Sequence, residues 1–285
     1  MRLLRFFYFA SFALPPVLAP LAQAQQAANA PLPEIRQLMS EVDEHQKQLE
    51  KVRENYTFST SQVVQDLDGN GHVTKTESRE WEVFFVNGHQ IARLVKKDGK
   101  PLEGDDLAKE TERVTKAVEK AQKPEQEHSK EGQEINPRHI LEIVDVRNPR
   151  REIYRGRSTI VFDFVGRKDL KAHGLSEDLS KKLQGTVWVD EADREVAHME
   201  ATFYDNFHVA GGLLASVQKG SNFQFDQAQV NGEVWLPSGA EVTVQMRLLL
   251  KGTHEHITQR DYDYKRFHVE TQQGKDAKVV AETKP

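Results

Sequence analysis

GTVWVDEADREVAHMEATF, residues 185 to 203, is the stretch on which the reading of the chain turns. Gly185 to Val189 and Arg194 to Phe203 are rich in β-formers and flank Asp190-Glu191-Ala192-Asp193, a run of turn residues. Val187 and Val189 share one parity, and Ala197, Met199, Ala201 and Phe203 share another. Side chains alternate across a strand, so the stretch reads as an antiparallel hairpin with one apolar face and one mixed face. A polypeptide that opens this way builds a sheet with one side packed and one side wet.

The same pattern extends in both directions. Upstream, RSTIVFDFV (157–165) sets Ile160, Phe162 and Phe164 against Thr159, Val161, Asp163 and Val165, and a Gly/Lys/Asp-rich section carrying Leu170, Leu175, Leu179 and Leu183 follows it. Downstream, strands are predicted over 207–219, 221–230, 233–236, 240–251 and 256–270. Turns are predicted at Lys219-Gly220, Asn231-Gly232 and Pro237-Ser238-Gly239. Nearer the N-terminus, β-formers run from Tyr56 to Gln65 and from His72 to Lys96, with a hairpin signal at Asn87-Gly88. Ile35, Leu38, Met39, Val42, Leu49 and Val52 recur at helical spacing and predict an amphipathic helix over about 33–54. Residues 97 to 136 form a charged helical insertion, in which Leu107, Val114, Val118 and Ala121 predict a surface helix over 105–122. Gln122 to Gln133 offers no apolar residue to bury, and Pro137 opens a short helix with Ile140, Leu141, Ile143 and Val144.

At the N-terminus Arg2 and Arg5 precede an apolar run from Phe6 to Leu14, then Pro15, Pro16 and Ala22-Gln23-Ala24. That is the layout of a secretory signal peptide over 1–24, and the run is shorter than the ~20 residues of a bilayer span. A linker (25–32), a single β-rich domain (33–272) and a polar tail (273–285) are expected to follow. Removal of the signal takes Lys+Arg from 39 to 37 against 44 Asp+Glu, so the formal charge moves from -5 to 37 − 44 = -7. A chain of that sign repels nucleic acid and anionic headgroups. With no cysteine there is no disulfide and no site for a lipid anchor on sulfur. The expectation is an exported protein, periplasmic or secreted, that is not membrane-integral.

Chemistry-bearing motifs are few. Asp66-Leu67-Asp68-Gly69-Asn70-Gly71-His72-Val73-Thr74-Lys75-Thr76-Glu77 fits the spelling of an EF-hand calcium loop. An EF-hand loop needs a helix on each side, whereas β-formers flank this one, so a tight hairpin turn is the preferred reading. His254-Glu255-His256 puts two imidazoles on one side of a strand without an identifiable third ligand, and no metal is assigned. Asp163, Asp190, Glu200 and Asp261 are acid/base candidates that nothing in the sequence pairs. No Gly-x-Ser-x-Gly elbow or phosphate loop is present, so no catalytic residue, enzyme class or cofactor is assigned. Most of the aromatics belong to sheet core. If a cavity lies under the helices, Trp81, Phe84, Trp188, Phe203, Phe223, Phe225 and Trp235 are the candidates to line it.

The signal peptide, the N-terminal amphipathic helix, the long meander and the helical excursions together resemble the lipoprotein-carrier superfamily of LolA and LolB type. The hairpin GTVWVD (185–190) to REVAHME (194–200) is similar to the sheet hairpins of those proteins. The resemblance is one of layout over about 35–270, without a diagnostic motif. It implies an α+β fold, a curved antiparallel sheet forming an open half-barrel with helices packed on one side. It also implies an apolar cavity that shields a lipid or lipoprotein acyl chain in the cell envelope. The charged insertion at 97–136 and the length of the chain depart from a minimal carrier. Two rival expectations are an envelope protein–protein interaction module without a cavity and an unrecognised hydrolase.

Overall fold

Alternating strands separated by tight turns can pair only with their neighbours in sequence or with strands brought back by a longer connection. The computed structural model describes residues 31–123, 143–169, 174–209, 215–249, 251–270 and 278–282. The expected signal segment, most of the linker, the charged stretch beyond Lys123, the helix opening at Pro137 and most of the tail lie outside them. Three helices are described, α1 (Ile35–Arg53), α2 (Gly104–Ala121) and α3 (Leu175–Ser180). The strands are β1 (Tyr56–Leu67), β2 (Val73–Val86), β3 (His89–Lys97), β4 (Lys100–Pro101), β5 (Val144–Tyr154), β6 (Arg157–Gly166) and β7 (Leu183–Asp190). They continue with β8 (Val196–Phe203), β9 (Phe207–Val209), β10 (Ala215–Val217), β11 (Asn222–Val230), β12 (Val234–Leu248), β13 (Lys251–Glu270) and β14 (Lys278–Glu282).

All belong to one antiparallel sheet in the order β4-β3-β2-β1-β13-β12-β11-β8-β7-β6-β5, with β10 on β12, β9 on β10 and β14 on β13. The two ends of the order do not meet, so the sheet is open. The fold is α+β, with α1 on one face and α2 beside the β3 edge. Among the described residues, three hairpins have two-residue turns, at Asn87-Gly88, Asp98-Gly99 and Arg155-Gly156, and their leading residues all take positive φ, as primed turns require.

α1 starts where the Glu34 carboxylate accepts the Gln37 amide at 2.7 Å and carries Lys51 and Arg53 in its last turn, where cations suit the helix dipole. Its buried stripe, Ile35, Leu38, Met39 and Val42, packs on Ile160, Phe162 and Phe164 of β6, Leu183, Val187 and Val189 of β7, and Ala201 and Phe203 of β8. The end of α1 meets a smaller cluster, with Val52 against Tyr56, Val234 and Leu236. A polar clamp fixes its rotation. The fully buried Glu195 carboxylate accepts from Gln46 and Arg53 and faces His45 Nδ1, each at 3.2 Å, while Arg194 Nε reaches Glu41 at 2.7 Å. Gly185 is required where it stands, because a Cβ there would come within 1.9 Å of the Glu200 carbonyl oxygen on β8.

The sheet differs from the sequence reading in four places. β5 occupies Val144–Tyr154, where a helix was expected to extend to Val144; Pro149 sits in a register shift between Arg147 and Arg150, as an edge strand tolerates. Pro237-Ser238-Gly239 is no turn: β12 runs through it, and the same residues make a bulge opposite Asp226 and Gln227. Ala197 does not share the core side with Met199, because Trp188 pairs His198 and Val189 pairs Val196, leaving Ala197 as the extra residue. Lys278–Glu282, in the expected polar tail, pairs with Arg266–Glu270, where β13 extends past its other neighbours.

Candidate ligand-binding face

Directly paired residues share a face, so an unbroken register labels both sides of the sheet. One row runs Phe164, Gly185, Ala201, Phe223, Val242, Ile257, Val64 and Glu77 across β6, β7, β8, β11, β12, β13, β1 and β2. Phe164 and Ala201 lie in the core beneath α1, so this is the helix-bearing face along its whole length. The opposite face carries Trp188, His198, Asp226, Gly239, Arg260, Ser61 and Glu80 in one row.

On the helix-bearing face burial changes along the sheet. The side chains of β6 to β8 that contact α1 are buried, whereas Phe225 and Phe223 on β11, Val242 on β12, Ile257 on β13, Val64 on β1, Trp81 on β2 and Leu94 on β3 are only half-buried. These residues form a half-buried strip, called the trough below, that continues the core beyond α1, with Gln259, Gln62 and Arg79 of the same face interleaved among its apolar side chains. From Trp81 to Phe225 the trough crosses four inter-strand steps, roughly 19 Å at ~4.8 Å each. Its floor holds one buried carboxylate, Asp261, which accepts from Thr60 Oγ1 at 2.5 Å and from Gln259 Nε2 at 3.1 Å. Tyr264 flanks Asp261; burial, aided by that carboxylate, pushes its hydroxyl pKa well up.

The seven aromatics named from the sequence do not share one side. Trp81, Phe223 and Phe225 lie on the trough side, and Phe203, on the same face, is 7% exposed and part of the core under α1. Phe84 follows Val83 in β2 and so points to the opposite face. Trp188 lies on the opposite face, where its indole donates to Glu152 Oε2 at 3.1 Å. Trp235 points away from Val234, Leu236 and α1; its indole donates to Asp193 at 2.9 Å and Arg157 lies over its ring at 5.4 Å. Val64, Leu94, Val242 and Ile257 were missed, because single aliphatic residues in a strand carry no signal until the pairing is known.

The opposite face holds a polar aromatic cluster. His198 stacks on Tyr154 at 5.0 Å and meets Trp188 at 4.8 Å, with Nδ1 2.9 Å from Asp226 and Nε2 3.0 Å from Glu200. Tyr154 Oη donates to Asp226 at 2.6 Å, and burial together with that carboxylate pushes its pKa up to about 12. A cleft of about 240 Å³ beside the cluster is lined by Tyr154, Arg155, Arg157, Gln227, Gln229 and Trp235. Arg155 lies over the Tyr154 ring at 5.3 Å, and His198 stacks on the same ring.

The remaining acid/base candidates are held in structural networks. Burial alone would raise Asp190, but the Arg157 fork and the amides of Asp193 and Ala192 outweigh it and hold the carboxyl below its usual range. Asp163 is likewise lowered, against burial, by Asn148, Arg150 and Thr186. The Asp66–Glu77 stretch is a hairpin turn: Asp68 Oδ1 accepts the amides of Asn70 and His72 at 2.8 and 2.9 Å, and Glu77 binds Lys75 and Arg79. His254 faces the Asp68 carbonyl and His256 faces Thr243. Among the described residues no group of three or more His, Asp and Glu is placed to hold a metal ion. No helix among them is long and apolar enough to cross a membrane.

No family model and no curated protein matches the chain. The fold is similar to a putative outer membrane lipoprotein-sorting protein domain from Vibrio parahaemolyticus, at 12% identity over 83% of this chain and 95% of that one, with a TM-score of 0.36. It is also similar to a DUF1329 family protein from Desulfovibrio piger, at 11% identity over 83% and 93% of the two chains, with a TM-score of 0.35. It is similar as well to a LolA superfamily protein from Nitrosomonas europaea, at 12% identity over 79% of this chain and 92% of that one, with a TM-score of 0.32.

Proposed function

We propose that the protein is exported and binds a hydrophobic ligand of the acyl-chain type, a lipid or the lipid of a lipoprotein, in the trough beside α1. One observation carries this reading: the apolar row that is buried under α1 continues half-buried through Phe223, Val242, Ile257 and Val64. Leaving such residues in water forgoes about 1.5–3 kcal/mol for each large side chain that a ligand could cover. The elongated trough suits a chain-like ligand better than a compact one, and binding by burial needs no bond made or broken. Native mass spectrometry with lipid extraction, on protein isolated without detergent, tests the proposal. A reproducible added mass that extracts as lipid is expected. An apo mass that stays unchanged when fatty acid or phospholipid is added would sink it.

A further inference from the structure

The floor of the trough carries a charge that its own residues leave unbalanced. Trp81 pairs with Thr60 and Thr60 with Asp261, so the three stand in one row across β2, β1 and β13. On the next strand Gly239 pairs with Arg260 on the opposite face. The residue before it, Ser238, shares the parity of Leu236 in the core and so stands beside Asp261 on the helix-bearing face. Asp261 is 5% exposed. Its carboxylate accepts from Thr60 Oγ1 and Gln259 Nε2, both neutral, and among the described residues no Lys, Arg or His comes within ion-pair distance of it. Arg79, the cation of the adjacent row, is bonded to Glu77 at 2.9 Å. The Ser238 hydroxyl oxygen is buried with no hydrogen-bond partner among the described residues.

A buried carboxylate without a cation destabilises the fold, because nothing offsets its desolvation. The row itself describes the group that would offset it. Asp261 attracts a positive charge and retains acceptor capacity, Ser238 offers an unused hydroxyl, and Trp81, beyond Thr60, brings an indole, the aromatic ring that attracts cations best. A primary ammonium group answers all of these, with one positive charge and three N–H donors. The row next but one supplies the apolar part of the same seat, Ile257, Val242 and Phe223, all half-buried. Resting on the reading of the trough as a ligand site, we infer that its ligand is an amphiphile bearing an ammonium group. The charge sits over Thr60 between Asp261 and Trp81, and the hydrocarbon extends toward Ile257, Val242 and Phe223.

Isothermal titration calorimetry of the full chain with decylamine and with decan-1-ol, equal in hydrocarbon and different in charge, tests this. The parent is expected to bind decylamine at least about tenfold tighter, the scale of a desolvated cation interaction. Asp261→Asn is expected to bind the two alike. Asp263→Asn removes a neighbouring exposed charge at a positive φ that Asn tolerates, and is expected to keep the parent's preference. Asp261→Asn removes an unbalanced charge and leaves Thr60 and Gln259 an acceptor, so it is also expected to melt no lower than the parent. Equal binding of both ligands by the parent, a preference that Asp261→Asn retains, or one that Asp263→Asn loses overturns the inference and leaves the trough as a site for the hydrocarbon alone. A clear drop in the melting temperature of Asp261→Asn would show that the fold already balances the charge, and overturns it too. Binding of neither ligand by the parent sinks the trough reading and this inference together.

Discussion

Asp190 shows how a carboxylate that looks available for chemistry is committed to the fold. It is 1% exposed, it accepts two hydrogen bonds from Arg157, and it caps its own turn through the Ala192 and Asp193 amides. Its folded-state pKa lies below the unfolded one, so its contribution to stability is present above an unfolded value near 3.8 and is lost as pH falls through the folded value. Asp190→Asn is therefore expected to lose about 1.5–3 kcal/mol at pH 7, the range for hydrogen bonds to a charged group. The deficit should close as the parent is acidified below about pH 4. Urea midpoints at pH 7 and pH 3 check this, and an equal deficit at both would show that the interaction is not ionic. The sequence identified Asp190 as a turn residue but offered no hint of Arg157, thirty-three positions earlier. Buried partners of this kind are set by strand register, which no local pattern records.

At the scale of elements, the exposed edge next to the trough depends on α2. Glu110 Oε1 accepts the Leu94 amide at 2.6 Å and Arg113 donates to the Ala92 carbonyl, so the helix occupies backbone groups that a third strand would otherwise use. Arg113 chiefly, and the Leu94 amide, hold the Glu110 carboxyl below its usual range against the effect of burial. Glu110→Ala should speed hydrogen exchange at the Leu94 amide by about tenfold, the equivalent of one hydrogen bond of roughly 1.4 kcal/mol. The uncovered edge should also make the variant more prone to aggregate. Unchanged exchange at Leu94 would remove α2 from this role. The helix itself was legible, because Leu107, Val114, Val118 and Ala121 keep helical spacing and the predicted 105–122 compares with the observed 104–121. β5 and the middle of β12 were not. Pro149 and Pro237-Ser238-Gly239 spell a break, and only a partner strand turns that spelling into a bulge.

Across the whole molecule, the α+β layout was legible because helix and strand periodicities are local, whereas the division of the sheet into two faces was not. The row from Phe164 to Glu77 gathers residues from eight strands, and its last members, Val64 and Glu77, precede its first by 100 and 87 positions in the sequence. That division turns the three tryptophans into reporters of where a ligand sits. Trp81 lies on the trough side, while Trp188 and Trp235 point to Glu152 and Asp193, away from α1. A brominated fatty acid quenches indole fluorescence only at close range, so a chain lying in the trough should quench Trp81 and spare the other two. Saturable quenching is expected to persist in the Trp188→Phe/Trp235→Phe variant and to vanish in Trp81→Phe. Both substitutions keep an aromatic ring and so perturb packing little. Quenching that survives in Trp81→Phe and disappears in the double variant would move the ligand to the face that bears His198, and the trough would then have to be assigned to something other than an acyl chain.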